Sequence, residues 1–250
     1  MPELDGRGVV VTGAGQGLGR GIALSLAARA GRVVALDVNA AGVAETARLI
    51  ELAGGSAWSA RMDVTDEGEV DSAIGWAAAT LGHLDLVING AGVLSVAPVV
   101  DLEAREWRRV LEVNATGTFL VSRAAARLMI EAGRPASIIS IASIAGKIGE
   151  AGLAHYAASK FALVGFTQAL ARELAPHNIT VNAVCPGVVA TPMIEELSSQ
   201  WHVSVEGMLA GQAIQRPQSP EDIAMTIAFL HANRSVTGQA INVDGGTVFS

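Results

Sequence analysis

Three features of this 250-residue chain predict a single-domain, doubly wound α/β fold of about seven parallel strands with helices on both faces. Short β-branched runs alternate with longer amphipathic ones in the order βαβαβαβαβαβαβ. The connections between strands are long enough for parallel crossovers. The strands themselves are apolar almost throughout, as expected of a sheet covered on both sides. No break in composition, Ser/Pro linker or internal repeat divides the chain, so residues 1–250 read as one domain.

The first strand is Val9-Val10-Val11, ending at Thr12. The turn Gly13-Ala14-Gly15-Gln16-Gly17-Leu18-Gly19 follows, and the amphipathic run from Ile22 to Ala30 continues it. Strand, glycine-rich turn and helix start together make a dinucleotide-binding arrangement. Glycines let the backbone approach a pyrophosphate, whose charge rests on the helix N-terminus. Gly13, Gln16, Gly17, Leu18 and Gly19 are therefore expected contacts, although the spacing is G-x-x-x-G-x-G and not G-x-G-x-x-G.

A second strand, Arg32 to Leu36, ends at Asp37, 18 residues past Gly19 (37 − 19). A carboxylate at about that distance accepts from ribose hydroxyls and repels a 2′-phosphate. No Arg or Lys stands at 37–39, so NAD is expected over NADP. A helix from Ala40 to Ala53 and a strand from Ser56 to Met62 lead to Asp63 and Val64, expected beside the adenine. Asp66 is an expected N-cap for the helix through Thr80. The strand from Leu84 to Ile88 ends in Asn89-Gly90-Ala91-Gly92, where Asn89, Ala91 and Gly92 are expected near the cofactor.

One helical pattern runs from Glu103 to Ile130 and carries Asn114 at an apolar-facing level. Such an amide either bonds neighbouring backbone, distorting the helix, or holds a water. The strand Ser137 to Ile141 leads directly to Ser143, and 13 residues later (156 − 143) comes Tyr156, four residues before Lys160. On a helix the last two share a face. A phenol has a pKa of about 10, and bringing it near neutrality takes roughly 4 kcal/mol of preferential interaction with the anion. The Lys160 ammonium is the expected source. Ser143 is expected to bond the same substrate oxygen.

The strand from Ile179 to Val184 ends at Pro186-Gly187. Residues 188–216 then lose regularity and read as a short helical pair or a substrate lid. Pro220 opens a last helix through Phe229, and Gln239 to Val243 is the last strand. Thr12, Asp37, Asp63, Asn89, Ser143 and Pro186 all fall at strand ends, where a doubly wound sheet binds its ligand. His155 is expected to pack or face solvent, and Cys185 to be a buried small hydrophobe.

Composition excludes several classes. A net charge of −7 argues against nucleic-acid or anionic-membrane partners. One cysteine permits no internal disulfide and fits a reducing compartment. No apolar stretch reaches about 18 residues, and the N-terminus lacks a secretory pattern. A cytoplasmic protein without a metal site is expected.

Taken together, Thr12-Gly13-x-x-x-Gly17-x-Gly19, Asp63-Val64, Asn89-x-Ala91-Gly92, Asn114, Ser143, Tyr156-x-x-x-Lys160 and Pro186-Gly187 with Thr191 resemble the short-chain dehydrogenase/reductase family over essentially the whole chain. The resemblance implies a Rossmann fold, a homotetramer and hydride transfer between NAD and a small-molecule secondary alcohol or ketone. It implies that Tyr156 is the general acid/base and that Ser143 positions the substrate oxygen. It gives Lys160 the nicotinamide ribose, and Asn114 a water in the proton path. Pro186, Gly187, Val189 and Thr191 would meet the nicotinamide. One departure is Gly90, where the family usually has a second Asn, and some local loosening is expected there.

Segments from Tyr156 to Met193 and the closing Asp244-Gly245-Gly246 resemble the polyol and acetoin/diacetyl dehydrogenase branch. A small polyol, sugar alcohol or hydroxyketone is the expected substrate. A 3-oxoacyl-thioester (acyl carrier protein) reductase and a hydroxysteroid dehydrogenase are the alternatives. A non-catalytic NAD-binding sensor would be expected to lack one of Ser143, Tyr156 or Lys160, and all three are present.

Overall fold

A computed structural model describes residues 4–201 and 203–249. Seven parallel strands form one sheet: β1 (Gly8–Thr12), β2 (Arg32–Asp37), β3 (Ser56–Arg61), β4 (Leu86–Asn89), β5 (Ala136–Ile141), β6 (Ile179–Pro186) and β7 (Ala240–Val243). Their spatial order is β3-β2-β1-β4-β5-β6-β7. The chain runs outward from β1 to β3, returns to the centre and continues from β4 to β7. The reversal lies between β1 and β4, which pair from Val9–Leu86 to Val11–Ile88. A crevice at the carboxyl ends of these two strands follows from that topology.

Alternation along each strand splits the apolar runs between two cores. Val10, Val34, Val87 and Ile138 face one core. Their neighbours Val9, Val33, Leu86 and Ile139 face the other. The first core is closed by α3 (Glu67–Leu81), α5 (Gly117–Ala132) and α6 (Ala154–Leu174). The second is closed by α1 (Gly17–Ala27), α2 (Ala40–Leu52) and α9 (Pro220–Ala232). The expected three-layer arrangement is therefore present.

Local signals set several boundaries. Asp66 accepts from Glu69 N at 2.9 Å and caps α3 as expected. Asn39 caps α2 by accepting from Gly42 N. Ser219 and Asp222 form a reciprocal capping box ahead of α9. The first helix begins at Gly17, five residues earlier than the apolar pattern alone indicates (22 − 17). Its first turn carries no apolar periodicity because it faces a cleft.

The long pattern from Glu103 becomes α4 (Ala104–Leu111), a π-helical turn at Glu112–Thr116, and α5 without a break. Asn114 stands at the centre of that turn. Residues 188–216 contain the short helical pair α7 (Pro192–Trp201) and α8 (Val205–Leu209). Among the described residues, no helix is long and apolar enough to cross a membrane.

Candidate active site

The carboxyl ends of the strands open into a cleft of about 1270 Å³. That exceeds the roughly 300–1,000 Å³ of a single small-ligand pocket and leaves space for two ligands side by side. One wall is the β1–α1 turn, where Gly13, Gln16, Gly17, Leu18 and Gly19 all line the cleft. A Cβ on Gly19 would stand 2.1 Å from the Gly13 carbonyl oxygen, so only glycine closes this turn. The α1 N-cap Gln16 makes no side-chain cap bond, and the first turn of α1 holds no acidic residue. Its amides are thus left to an anion, the chemistry a pyrophosphate requires.

Asp37 and Asp63 also line the cleft. Asp37 is held by two backbone amides, accepting from Gly15 N and Asn39 N, each at 2.9 Å. A carboxylate has about four lone-pair sites, so two remain for ribose hydroxyls. Sequence reasoning missed Arg20, a guanidinium anchored on the glycine turn beside this corner. It donates to Thr46 Oγ1 and to the carbonyls of Gly15 and Gly42, and it does not line the cleft. Asp63 accepts from the amide and hydroxyl of Thr65, which hold its carboxyl below the ordinary range. Val64 lies beside it on the cleft wall.

The β4 end departs from expectation in two ways. Asn89 is buried and does not line the cleft. Its amide donates to Ser122 Oγ at 2.9 Å and Ser140 Oγ at 3.2 Å, tying β4 to α5 and β5 from below. The cleft wall is formed by Gly90, Ala91 and Gly92 instead. Nor is this edge loose. Thr12 Oγ1 accepts from Gly90 N at 3.1 Å and Ala91 N at 3.3 Å, and a Cβ on Gly90 would meet Thr12 O at 2.6 Å. The two strand ends pack backbone to backbone, which a side chain at 90 would prevent.

Asn114 is fully buried, and its amide is committed to the loop after β4. It accepts from Val93 N at 2.8 Å and donates to Val93 O and Ser159 Oγ, each at 3.0 Å. The π-turn aims it there, as the distortion reading of this residue expected. A Cβ on Gly92 would lie 3.4 Å from Asn114 Oδ1 and 3.7 Å from Lys160 Nζ, so these groups converge around Gly92.

Ser143 caps a 3₁₀ turn at Ile144–Gly146, accepting from Ala145 N at 3.1 Å. Gly146 seats that turn on α6, because a Cβ there would stand 2.8 Å from Lys160 O. Ser143 is thereby brought to the Tyr156 hydroxyl, with which it hydrogen-bonds. Tyr156 and Lys160 share one face of the first turns of α6, and all three residues line the cleft.

Their ionisation differs from the sequence expectation. Lys160 Nζ donates to the Ile141 carbonyl at 2.8 Å and stands 5.4 Å from the Tyr156 ring centroid. Burial pushes the lysine down to about 8. Burial pushes the tyrosine up to about 12, opposed only by the Ser143 bond. The ammonium therefore does not bring the phenol toward neutrality in this arrangement, because desolvation of each group outweighs their mutual effect.

Pro186, Gly187, Val189 and Thr191 also line the cleft. His155 is buried and points away from it. The Ser95 hydroxyl donates to Glu106 at 2.6 Å and accepts from His155 Nε2 at 2.7 Å, so His155 packs α6 onto the loop after β4. Cys185 is buried, and burial pushes its thiol up. No cluster of three or more His, Cys, Asp or Glu that could hold a metal occurs among the described residues.

A sequence model described as short chain dehydrogenase matches residues 7–201. The chain is 38% identical to an L-2,3-butanediol dehydrogenase of Corynebacterium glutamicum, covering 96% of this chain and 98% of that protein. It is 35% identical to a 3-oxoacyl-[acyl-carrier-protein] reductase of Synechocystis sp., covering 99% of both. A crystal structure of a short-chain type dehydrogenase/reductase from Mycobacterium marinum superposes with a TM-score of 0.93 at 32% identity, covering 99% of this chain and 98% of that one.

Proposed function

Because the chain belongs to the short chain dehydrogenase family, we propose that it is an NAD-dependent oxidoreductase acting on a secondary alcohol and its ketone. The observation that carries this reading is the convergence of Ser143, Tyr156 and Lys160 on a cleft whose other end is the glycine turn and Asp37. These residues would hold a nicotinamide dinucleotide, which would supply the acceptor for the carbinol hydride.

The chain's own residues do the rest. The amides of the β1–α1 turn hold the pyrophosphate, and Asp37 accepts from the adenosine ribose. Pro186, Gly187, Val189 and Thr191 bracket the nicotinamide. Ser143 donates to the substrate oxygen and fixes it beside the Tyr156 hydroxyl. In oxidation, Tyr156 takes the hydroxyl proton; in reduction it returns that proton to the same oxygen. Lys160 holds the nicotinamide ribose and supports the phenolate. Asn114 fixes the Val93 loop and keeps a second Oδ1 lone pair for a water beside Lys160.

The preference for NAD rests on Asp37 and on the engagement of Arg20 with backbone carbonyls away from the cleft. Exposed Trp107, Phe119 and Phe161, on α4, α5 and α6, support the reading that these helices are covered in a homotetramer, and we place the protein in the cytoplasm. The similarity to 3-oxoacyl-[acyl-carrier-protein] reductases favours thioester reduction as a second reading. Steady-state assays with NAD and NADP, against secondary alcohols, polyols and 3-hydroxyacyl thioesters, test both. Turnover with NADP alone would remove the assigned role of Asp37, and no turnover would remove the enzyme reading.

A further inference from the structure

The segment joining Ser143 to Tyr156 must flank whatever carbon bears the reacting oxygen, because both hydroxyls belong to that oxygen's site. This inference rests on the hydride-transfer reading above. From that segment Ile144, Ile148 and Leu153 line the cleft; from α7 and α8 come Leu197, Trp201 and Met208. Among the described lining residues of 144–153, α7 and α8, Glu150 alone is charged or polar. Apolar surface here is not merely folded core: Ile148 is 39% exposed, and Met193 on the same α7 wall is 40% exposed. Contiguous wet apolar surface inside a cleft marks a ligand-binding wall.

The roof is held in place by its polar edge. Val96 N donates to Gln200 Oε1 at 3.2 Å, joining α7 to the loop after β4. Ala97 N donates to Gly152 O at 3.0 Å, joining that loop to the 144–153 segment. The three walls thus form one apolar enclosure around the Ser143 and Tyr156 hydroxyls.

Charge narrows the ligand further. Lys160 and Arg109 are the only cations among the described residues lining the cleft. Lys160 is bound to Ile141 O, and Arg109 is paired with Glu106 at 2.7 Å. Glu112 and Glu150 also line it. Among the described residues, nothing at this end is arranged to receive a phosphate or carboxylate, and few partners exist for a row of hydroxyls. A buried hydroxyl without a partner is costly.

We propose that the substrate is an uncharged secondary alcohol, or its ketone, whose carbinol carbon carries an extended apolar substituent, in place of a polyol or a carrier-bound thioester. The carbinol hydrogen leaves with its electron pair to the oxidised dinucleotide. The hydroxyl proton goes to the Tyr156 oxygen, and the alcohol leaves as the ketone. The apolar substituent is bound along Ile148, Leu197, Trp201 and Met208.

The test is kcat/KM with NAD for 2-butanol, 2-hexanol and 2-octanol, beside xylitol and a 3-hydroxyacyl thioester of coenzyme A. Burying each methylene is expected to raise kcat/KM about fourfold, hence roughly 200-fold from 2-butanol to 2-octanol. Met193→Gln is expected to flatten that slope. A flat series, or better turnover of xylitol or the thioester, overturns the apolar-substrate inference and leaves the dehydrogenase reading standing. Absence of oxidation in every arm overturns both.

Discussion

Lys160 Nζ stands 5.4 Å from the centroid of the Tyr156 ring while its hydrogen bond runs to the Ile141 carbonyl at 2.8 Å. Burial places the amine near 8 and the phenol near 12. Between those values the resting pair is a neutral phenol beside a neutral amine. Proton removal from substrate needs the opposite pair, a phenolate beside an ammonium. On the proposed function, a ribose on Lys160 and a cationic ring near Tyr156 would favour that second arrangement, and ionisation is then expected to follow cofactor binding.

Tyr156 is the only tyrosine in the chain, which makes this coupling directly visible. Near-ultraviolet tyrosinate absorbance should be absent from the free protein up to pH 10. Saturation with oxidised NAD should bring it in at lower pH. A tyrosinate signal near neutrality without cofactor would show that burial does not control the phenol. Tyr156→Phe should lower kcat about 10²–10⁴-fold, the usual worth of a general acid/base, with little change in NADH affinity.

Lys160 should cost stability at neutral pH. Its folded pKa lies below its unfolded value, so below pH 8 the charged amine is buried at full cost. Between about 8 and 10.5 the unfolded chain keeps a proton the folded one has lost, and the cost falls as pH rises. From pH 7 to 9.5 the relief is about 2 kcal/mol. Urea unfolding of the wild type and Lys160→Met at both pH values isolates this contribution. The wild type should gain on the variant at pH 9.5; an unchanged difference would place the charge in a well-solvated site.

At the other end of the cleft, Asp37 is pinned by Gly15 N and Asn39 N. A 2′-phosphate beside that carboxylate would put like charges together at a cost of several kcal/mol. Asp37→Asn removes the charge and nearly keeps the shape. The ratio of kcat/KM for NADP over NAD should rise at least tenfold, on the order of 1.4 kcal/mol. An unaltered ratio would mean that cofactor choice is made elsewhere.

The fold was legible because strand apolarity, glycine turns and caps all point the same way. The helix-sharing of Tyr156 and Lys160 was equally legible, since spacing of four decides it. The Asn89 side chain turns away from the cleft, a direction that was available in the sequence. Val87 faces the α5 side of the sheet, so Asn89, two residues on, must face it too, toward Ser122. The pairing of Lys160 with Ile141 O joins residues 19 apart on different elements, and no local pattern encodes it. Nor does spacing reveal depth, which is why the direction of the tyrosine shift was read with the wrong sign.

Gly90 offers the sharpest contrast between family pattern and this chain. Restoring the usual residue by Gly90→Asn would supply a side chain to brace the sheet edge, and pattern alone predicts a gain. Geometry predicts a loss, because the new Cβ would meet Thr12 O at 2.6 Å. A backbone atom cannot rotate away, so β1 and β4 must separate. Thr12 Oγ1 would then loosen from Gly90 N and Ala91 N, now at 3.1 and 3.3 Å. Overpacking of this kind costs about 1–3 kcal/mol. For a chain of this size the melting temperature should fall by roughly 2–12 °C. Gly13 packs against Ala91 across the same contact, its added Cβ meeting Ala91 N at 2.6 Å, so cofactor affinity should weaken as well. Thermal melts with and without NADH read both effects. A melting temperature equal to or above wild type would show that the edge accepts a side chain without strain.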